Sequence, residues 1–296
     1  MAQKKTVAAL GFFDGVHKGH AALLRRVSER AKEMGLEPMV ISFDIHPDTL
    51  VRGTNVSLIN SAYDRKGIVS REFGIARTEL LHFDRDMMQM PPEHFVRFVH
   101  DYYGAQHLVV GHDFRFGFRG RGCAENLPQF CMQQEMTCEV IAPVLIGGRV
   151  VSSTEIRELL SSGRLAEANE LLGHPHVLTG TIKEGFRLGH KLNFPTVNMR
   201  FEENVLAPRF GVYATKVILP EGEFPAVTNV GARPTLERDD ITVESHILHF
   251  DRELYGTEAR VEFHAFLRPE IRFESVEALQ KQIADDAAAA EQFFTE

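Results

Sequence analysis

The sequence predicts an α/β protein of two domains, in which a parallel sheet with helices is followed by a small antiparallel β-barrel and a long terminal helix. The 296-residue chain is longer than the roughly 100–200 residues of one typical domain. Its first part alternates strand-like and helix-like runs, which is typical of parallel βαβ units. Its second part consists of short β-rich runs separated by turn residues, which is typical of antiparallel sheets.

The first part of the chain contains the alternating runs. In chain order they are TVAALGFF, HAALLRRVSERAKEMG, EPMVISFD, AYDRKGIVSREFG, TELLHF, PEHFVRFVHDYYG, HLVVGHD and TCEVIAPVLI. The run SSTEIRELLSSG follows, and its first serines and threonine are residues that commonly cap the N-terminus of a helix. We therefore expect a parallel sheet with helices on both faces.

The second part of the chain changes to a β pattern after LLGHPHVLTG. Its strand-like runs are VYATKVIL, FPAVTNVG, ITVESHIL and ARVEFHAFL. The last segment is rich in strong helix formers; Ser275 is a suitable N-cap, and Val276, Leu279 and Ile283 form an apolar stripe at helical spacing. Gly and Pro interrupt both patterns near residue 173, so we predict domains of residues 1–173 and 174–296.

The composition excludes several classes of protein. Hydrophobic residues make up 44% and charged residues 25% of the chain, as in an ordinary globular protein. No apolar run reaches the ~18 residues of a membrane helix, and the N-terminal apolar stretch is too short for a secretion signal, so we expect a cytoplasmic protein without membrane contact. The net charge of −8 opposes binding of nucleic acid. The three cysteines lack the paired spacing of a zinc site, and we expect them to be reduced.

The stretch GFFDGVHKGH, residues 11–20, joins the first predicted strand to the first predicted helix. Gly11 and Gly15 allow the backbone to approach a ligand closely, and the N-terminus of the following helix attracts phosphate. His17 and His20 are three residues apart, so both imidazoles should point from one helical face into the same space. One isolated histidine would be interpreted as a surface residue, but a pair at this glycine-bracketed turn favours phosphate chemistry.

This stretch resembles the HxGH motif of the α/β nucleotidyltransferases, which several cytidylyl- and adenylyltransferase families share. Its longer form is similar to one branch, the prokaryotic bifunctional riboflavin kinase/FAD synthetases. Three further segments match that family in order and spacing: SFDIHP at 42–47, VGHDFRFG at 110–117 and VSSTEIRELL at 151–160. The resemblance implies a Rossmann-like nucleotidyltransferase domain in which His17 and His20 stabilise charge on the α-phosphate of ATP while FMN is adenylylated. The substrate- and nucleotide-binding residues that it implies in this domain are Gly11, Phe12, Asp14, Gly15, His46, Asp113, Ser152, Ser153 and Thr154.

The residues alone leave structural alternatives open for three of these segments. The three hydroxyls of residues 152–154, together with Arg157, can form a second phosphate site at a helix N-terminus, whereas a plain N-cap would explain only one hydroxyl. Resemblance assigns Arg157 to the departing pyrophosphate. His46 precedes a proline and is either a flavin or phosphate contact or part of a turn. Asp113 either lies near the nucleotide or flavin or simply adjoins phenylalanines of the core.

The second part of the chain carries its own motifs. The segment GTIKEGFRLGHKLNFPTVNM at 180–199, followed by GVYAT, TNVGARPTL, VESHILHF and LYG, resembles the riboflavin kinase module of the same family. Gly180, Gly185 and Gly189 suit a flap whose backbone N–H groups wrap the ATP phosphates. If FPTVN is extended, Thr196 and Asn198 face one side, where a hydroxyl and an amide oxygen are suitable ligands for Mg²⁺.

Glu244 lies on an alternating strand pattern, with Val243 and Ser245 on the opposite face. Composition alone favours an ordinary exposed glutamate, whereas the resemblance implies the general base that takes the proton from the ribityl 5′-hydroxyl of riboflavin. The chain departs from the family pattern at His190 and Asn193, where arginine and glycine are usual. Asparagine tolerates positive φ, but replacement of the arginine predicts weaker contacts to the ATP phosphates.

The sequence therefore predicts a bifunctional enzyme that uses ATP and Mg²⁺ at two sites. One phosphorylates riboflavin to FMN, and the other adenylylates FMN to FAD with release of pyrophosphate. Two alternatives stay open at this point: an FAD synthetase with a weakened or inactive kinase module, and a non-catalytic flavin-sensing protein. His17, His20 and Glu244 argue against the second, because a binding protein needs no transition-state donors or base. We expect small-molecule partners only, and a monomer or weak homo-oligomer.

Overall fold

The computed structural model of the chain describes residues 4–184, 194–234 and 239–295. By their internal contacts these residues form two compact units. The first unit draws on residues 1–57 and 65–152, and the second on residues 58–64 and 153–296. None of the described helices is both long and apolar enough to cross a membrane.

The first unit is built around a five-stranded parallel sheet. The strands of this unit are β1 (Thr6–Leu10), β2 (Glu37–Phe43), β3 (Arg77–Leu81), β4 (Ala105–Gly111), β5 (Arg115–Phe116), β6 (Gly122–Cys123), β7 (Thr137–Ile141), β8 (Leu145–Ile146) and β9 (Arg149–Val150). The order in the main sheet is β3-β2-β1-β4-β7, and all four pairings are parallel. The four short strands form two separate antiparallel pairs, β5–β6 and β8–β9.

Helices cover both faces of the parallel sheet, as the alternating sequence pattern predicted. The helices that begin before residue 152 are α1 (Lys18–Met34), α2 (Pro47–Val51), α3 (Ala62–Phe73), α4 (Arg85–Gln89), α5 (Pro92–Tyr103) and α6 (Leu127–Met132). Helices α5 and α6 share one hydrophobic cluster with alternate strand residues such as Leu10, Ile41 and Val110. Helix α1 contacts β1, β2 and β4 and buries Leu24 and Val27. Every residue of β1 is buried, which is expected of a central parallel strand.

The second unit contains the predicted antiparallel sheet. Its elements are α7 (Ser153–Ser162), α8 (Leu165–Leu172), β10 (His176–Thr181), β11 (Val197–Met199), β12 (Gly211–Leu219), β13 (Gly222–Pro234), β14 (Asp239–Ile247), β15 (Glu258–Arg268) and α9 (Val276–Thr295). The six strands, in the order β10-β15-β12-β13-β14-β11, form an antiparallel sheet that curls into a half-barrel. Inside it, the Thr228 hydroxyl lies 2.6 Å from that of Thr215 and donates to that of Ser245 at 2.8 Å, which links three buried strands.

The terminal helix begins where the sequence predicts, because the backbone N–H of Ala278 donates to the Ser275 hydroxyl at 3.1 Å. Its packing residues differ from the predicted stripe. Val276 is 55% exposed, whereas Ala290 is buried against β12 and β13. The predicted stripe was wrong at Val276, whereas its other members, Leu279 and Ile283, are partly buried.

Candidate active sites

Three of the predicted segments lie at the carboxyl edge of the parallel sheet. The GFFDGVHKGH loop follows β1, His46 follows β2, and Asp113 follows β4. Strand β1 lies between the other two, so the three segments leave the sheet side by side. Because the chain connects β1 to β2 on one side and returns as β4 on the other, this is a topological switch point, where α/β sheets usually bind ligands.

The backbone of the loop after β1 adopts left-handed conformations. Gly15 has φ 79°, as its flexibility allows, but Phe13 and Val16 also have positive φ values of 59° and 42°. A left-handed residue with a side chain costs about 1–2 kcal/mol, and such residues persist only where their surroundings hold them. Phe13 and Val16 are both buried, as is Asp14 between them. The loop is therefore a fixed structure that is held by its packing.

His17 and His20 come together on the first turn of α1, as their spacing predicted. His17 is the N-cap, and its Nδ1 accepts a hydrogen bond from the backbone N–H of His20 at 3.3 Å. The two rings are stacked, with centroids 3.7 Å apart and an angle of 14° between their planes. Since Nδ1 of His17 is an acceptor, the proton of the neutral ring lies on Nε2, which can donate to a ligand.

Gly19 separates the two histidines for a steric reason. A Cβ atom at Gly19 would lie 3.0 Å from Cε1 and Nδ1 of His17, which is closer than an ordinary van der Waals contact. It would also lie 3.7 Å from the carbonyl oxygen of Val151. The glycine therefore allows the His17 ring to fold over the start of the helix. Roles for Gly11 and Gly15 were predicted from the sequence, but this role of Gly19 was not, although the HxGH pattern contains it.

His20 is neutral at neutral pH. Its Nδ1 atom is buried and has no hydrogen-bond partner among the described residues, and its ring lies edge-on to that of Phe13 at 5.2 Å. Burial, followed by the neighbouring His17 and Arg65, holds the pKa of His20 well below its ordinary value. His20 therefore offers an N–H donor without carrying a charge of its own.

Two side chains that the sequence analysis missed fix this loop. The Ser42 hydroxyl, near the end of β2, donates to the Phe12 carbonyl oxygen at 2.8 Å. Nη1 of Arg65 donates to the same oxygen at 2.6 Å. Arg65 stands in a run that was interpreted only as a helix, so no motif singled it out. Its burial, with 2% of its surface exposed, marks it as unusual for an arginine.

His46 and Asp113 differ in how far the structure supports a binding position. His46 caps α2, since its Nδ1 accepts from the Asp48 backbone N–H at 3.2 Å, and its ring also contacts the Phe12 ring at 4.6 Å. The structural alternative therefore applies, and a contact of His46 with flavin or phosphate stays a prediction. Asp113 is exposed, whereas Phe116, three residues later, is buried in the core with Phe114 packed against its cluster. The phenylalanines of this motif are thus structural.

The SSTEIR segment begins α7 as predicted. Val151 and Ser152 end the first unit, and Val151 approaches Gly19 on the first turn of α1. Helix α7 starts at Ser153 in the second unit, where Nη2 of Arg157 donates to the Thr154 hydroxyl at 3.3 Å. The hydroxyls and the guanidinium are therefore grouped at one helix N-terminus.

The second candidate site is a face of the antiparallel sheet. Glu244 on β14 is paired with Asn198 of β11 on one side and with Asn229 of β13 on the other. Directly paired residues project from the same face of a sheet, so the carboxylate lies between two amides. Val243 and Ser245 are buried on the opposite face, as predicted. Glu244 itself is half-buried rather than fully exposed.

Two cavities of the second unit share Thr196. The larger, of about 350 Å³, is lined by residues that include Glu244, Asn229 and His246. The smaller, of about 150 Å³, is lined by apolar residues that include Tyr255 and by the charged residues Asp251, Arg252 and Glu253. Thr196 lines both, so ligands in the two cavities would approach each other at this residue. Two cavities of different size that meet at the Thr196 hydroxyl are suited to the transfer of a group between two substrates.

His246 and Arg268 both line the larger cavity, and their contacts hold neighbouring segments of the chain in place. The Nδ1 atom of His246 lies 2.9 Å from the Pro195 carbonyl oxygen, to which it must donate because a carbonyl only accepts. This bond holds the segment that contains Thr196. Arg268 makes a bidentate ion pair with the buried Asp286 of α9, with Nη2 to Oδ2 at 2.6 Å and Nε to Oδ1 at 2.9 Å. The pair ties the helix to the cavity wall.

The hydroxyl of Thr196 and the amide oxygen of Asn198 are suitable ligands for a hard cation. Nδ2 of Asn198 donates to the Thr196 carbonyl at 3.3 Å, which fixes the orientation of the amide. Among the described residues there is no cluster of three or more His, Cys, Asp and Glu that could hold a metal. A cation at this site would therefore rely on a few neutral oxygens and on nucleotide phosphates, which is how Mg²⁺ is commonly bound. Of the three glycines predicted to form a flap, Gly180 lies within strand β10, and Gly185 and Gly189 lie outside the described residues.

Comparison with known proteins assigns a family to each part of the chain. The FAD synthetase family model matches residues 1–155, and the riboflavin kinase family model, also called flavokinase, matches residues 172–294. Curated relatives described as bifunctional riboflavin kinase/FMN adenylyltransferases match nearly the full length. The Pseudomonas fluorescens relative is 36% identical over 286 residues, covering 96% of this chain and 91% of its own. The Escherichia coli strain K12 relative is 33% identical over 294 residues, covering 99% and 94%.

A solved structure is also similar over nearly the whole chain. It comes from Streptococcus pneumoniae and is described as a macrolide-efflux protein. The similarity has a TM-score of 0.86 at 26% identity, and it covers 98% of this chain and 95% of that chain. Both units of the fold therefore have a counterpart in that protein.

Proposed function

The chain belongs to the bifunctional riboflavin kinase/FMN adenylyltransferase family, and from that premise we propose which of its residues carry out each reaction. The enzyme phosphorylates riboflavin to FMN and adenylylates FMN to FAD, with ATP as the second substrate of both reactions. We assign FAD formation to residues 1–173 and FMN formation to residues 174–296. The observation that carries the assignment is the stacked imidazole pair at the switch point of the parallel sheet.

In FAD formation, a phosphate oxygen of FMN attacks the α-phosphorus of ATP. The new P–O bond forms as the bond from the α-phosphorus to the bridging oxygen breaks, and pyrophosphate leaves with that electron pair. Such a transfer needs positioning and stabilisation of charge more than covalent chemistry. The Nε2–H group of His17 and the neutral ring of His20 are the proposed donors to the α-phosphate. Their stacked contact supports a shared target for both donors.

The remaining residues of the first site are proposed to bind the substrates. Arg157 and the hydroxyls of Ser152, Ser153 and Thr154 would hold the departing pyrophosphate, which the N-terminus of α7 also favours. The loop residues Gly11, Phe12, Asp14 and Gly15 would lie against the nucleotide. His46, in contact with Phe12, is the best supported flavin or phosphate neighbour at the end of β2. Asp113 follows β4 at the same edge of the sheet, and this position alone supports the proposal that it binds a substrate.

In FMN formation, the ribityl 5′-oxygen of riboflavin attacks the γ-phosphorus of ATP and ADP leaves. Glu244 is the proposed general base that takes the hydroxyl proton. Its half-buried position in the wall of the larger cavity supports this role, because a flavin in that cavity would bring its side chain to the sheet face. We propose that the smaller cavity, with Phe250, Leu254 and Tyr255, receives the adenine ring of ATP. The two substrates would then adjoin at Thr196.

The kinase site is proposed to use Mg²⁺. Thr196 and Asn198 would hold the ion, which would neutralise charge on the transferring phosphate groups when bound. Glu244 is paired directly with Asn198 on the neighbouring strand. Its carboxylate could therefore orient the reacting hydroxyl beside the proposed Mg²⁺ site. Gly185 and Gly189 are proposed to bind the ATP phosphates through their backbone.

We propose a cytoplasmic enzyme that acts on small molecules, without nucleic acid or membrane partners, as a monomer or weak homo-oligomer. Its net charge of −8 supports the absence of a nucleic-acid partner. Sedimentation of the purified protein at micromolar concentration, with and without ATP and FMN, tests the assembly. A stable higher oligomer would contradict it.

Analysis of the products tests the whole assignment. The purified protein is incubated with ATP and Mg²⁺ and either riboflavin or FMN, and the flavins are separated by chromatography. We expect FMN and FAD from riboflavin, and FAD from FMN. Formation of FAD from FMN only would indicate that the replacement of the usual arginine by His190 has silenced the kinase, and formation of neither product would contradict catalysis at both sites.

A further inference from the structure

Arg65 of α3 makes an unusual set of contacts for a buried cation. Its Nη1 donates to the Phe12 carbonyl at 2.6 Å and to the Ser42 hydroxyl at 3.1 Å, and its Nη2 donates to the Phe43 carbonyl at 3.1 Å. Its guanidinium also lies 4.3 Å from the centre of the Phe12 ring. One planar group thus joins the end of β2 to the loop after β1. The forked geometry of arginine allows this, and lysine cannot reproduce it.

The contact at Phe12 lies directly before the left-handed part of the loop. Phe13 and Val16, both with positive φ, follow within four residues and lead into His17. The orientation of the peptide that follows Phe12 therefore determines the position of His17 and His20 at the start of α1. Ser42 donates to the same carbonyl, so two donors fix one oxygen. If the guanidinium were removed, one hydroxyl would have to hold this backbone alone.

Arg65 also acts on the histidines through its charge. The groups that influence the proton affinity of His20 are His17 in the same turn and Arg65 in α3, in addition to burial of the ring. The positive charge of Arg65 lowers the pKa of His20, so its removal should raise that pKa. The two effects of Arg65, on geometry and on charge, can be separated by substitution, because lysine keeps the charge but loses the fork.

We propose that Arg65 is a positioning residue for FAD formation: its guanidinium fixes the Phe12 peptide and thereby the placement of His17 and His20 on the α-phosphate of ATP. This rests on the role proposed above for the two histidines. The Arg65 guanidinium contacts Phe12, Ser42 and Phe43 of the first unit, and through these contacts it supports the loop. The kinase reaction should not depend on it.

The test compares Arg65→Lys and Arg65→Met with Arg71→Lys, an exposed arginine on the same helix. We expect Arg65→Lys to lower kcat for FAD formation from FMN about 10- to 100-fold, with a much smaller change in KM for ATP, because the reacting groups are misplaced while the binding surface remains. FMN formation by the same preparation should stay at the level of the unsubstituted enzyme. Arg71→Lys should match the unsubstituted enzyme in both reactions.

Titration of the His20 ring by NMR gives a reading that a purely structural role would not change. We expect the pKa of His20 to rise in Arg65→Met and to stay low in Arg65→Lys. An unchanged kcat in Arg65→Lys would overturn the proposal, and so would a parallel loss of both activities with a lower Tm. The variant His20→Ala tests the proposed role of the histidines independently of Arg65. If that variant still forms FAD at the normal rate, the proposed role of the histidines is wrong whatever Arg65 does.

Discussion

The loop that carries His17 and His20 and the sheet face that carries Glu244 and Asn198 reach their geometry by different means. The loop depends on left-handed residues that a buried serine and arginine hold in place. The sheet face depends on strand register, because Glu244 and Asn198 are directly paired. The structural effect of a substitution should therefore spread through the loop, because a few contacts fix many of its atoms. On the sheet it should stay local, because the backbone hydrogen bonds between strands hold each residue separately.

The sharpest test of the sheet face is Glu244→Gln. This substitution keeps the shape of the side chain and removes its basicity, so FMN formation should fall about 10²–10⁴-fold. The sheet and the first unit should be unaffected, so FAD formation from supplied FMN should continue at the normal rate. Both rates are measured by chromatography of the flavins. Glu223→Gln, an exposed glutamate on β13, is the control, and an equal loss in that variant would indicate general damage to the sheet.

The corresponding test of the loop is His20→Ala. Loss of one preorganised donor should lower kcat for FAD formation about 10²–10³-fold, while FMN formation remains. His94→Ala, an exposed histidine of the same unit, is the matched control. If His20→Ala also lowered FMN formation, the two reactions would not be confined to separate sites, and the comparison between the loop and the sheet would fail.

The sequence predicted the alternation of side chains around Glu244 more completely than it predicted the backbone of the loop. Alternation along a strand is periodic, so Val243 and Ser245 could be placed opposite Glu244 without any structure. The spacing of His17 and His20 likewise predicted their contact. The left-handed conformations of Phe13 and Val16 carry no sequence signal, because neither residue favours positive φ. Arg65, Ser42 and the steric role of Gly19 depend on tertiary contacts, which local periodicity does not encode.

Acid should destabilise the second unit because of His176. This residue of β10 is fully buried, has no partner for either ring nitrogen among the described residues, and has its pKa lowered to about 3 by burial and then by His174. The unfolded chain takes up this proton below the ordinary histidine pKa of about 6.5, so the stability of the second unit should fall by about 1.4 kcal/mol per pH unit as pH decreases from there towards 3.

Thermal unfolding of the full chain at pH 6 and pH 4 tests this effect by comparison with His176→Leu. The leucine variant cannot take up the proton when unfolded, so the difference in stability between the two pH values should be smaller by about 2–3 kcal/mol. His249→Asn serves as the control, since this histidine is exposed and asparagine tolerates its positive φ of 55°. Equal pH dependence in all three proteins would exclude His176 as the cause.

The smallest expected change in rate comes from adding one methyl group to the loop or to the sheet. This pair of substitutions compares the two regions most directly. At Gly19 the new Cβ would press on the His17 ring at 3.0 Å, whereas at Gly180 on β10 the nearest atom would be Cε of Met199 at an ordinary 3.5 Å. Gly19→Ala should therefore lower kcat for FAD formation about tenfold, or about 1.4 kcal/mol in the barrier, because the imidazole must shift. Gly180→Ala should leave FMN formation within about twofold, because the strand register is unchanged. The two rates are measured on each variant, and an equal loss in both would mean that the loop is no more sensitive to packing than the sheet.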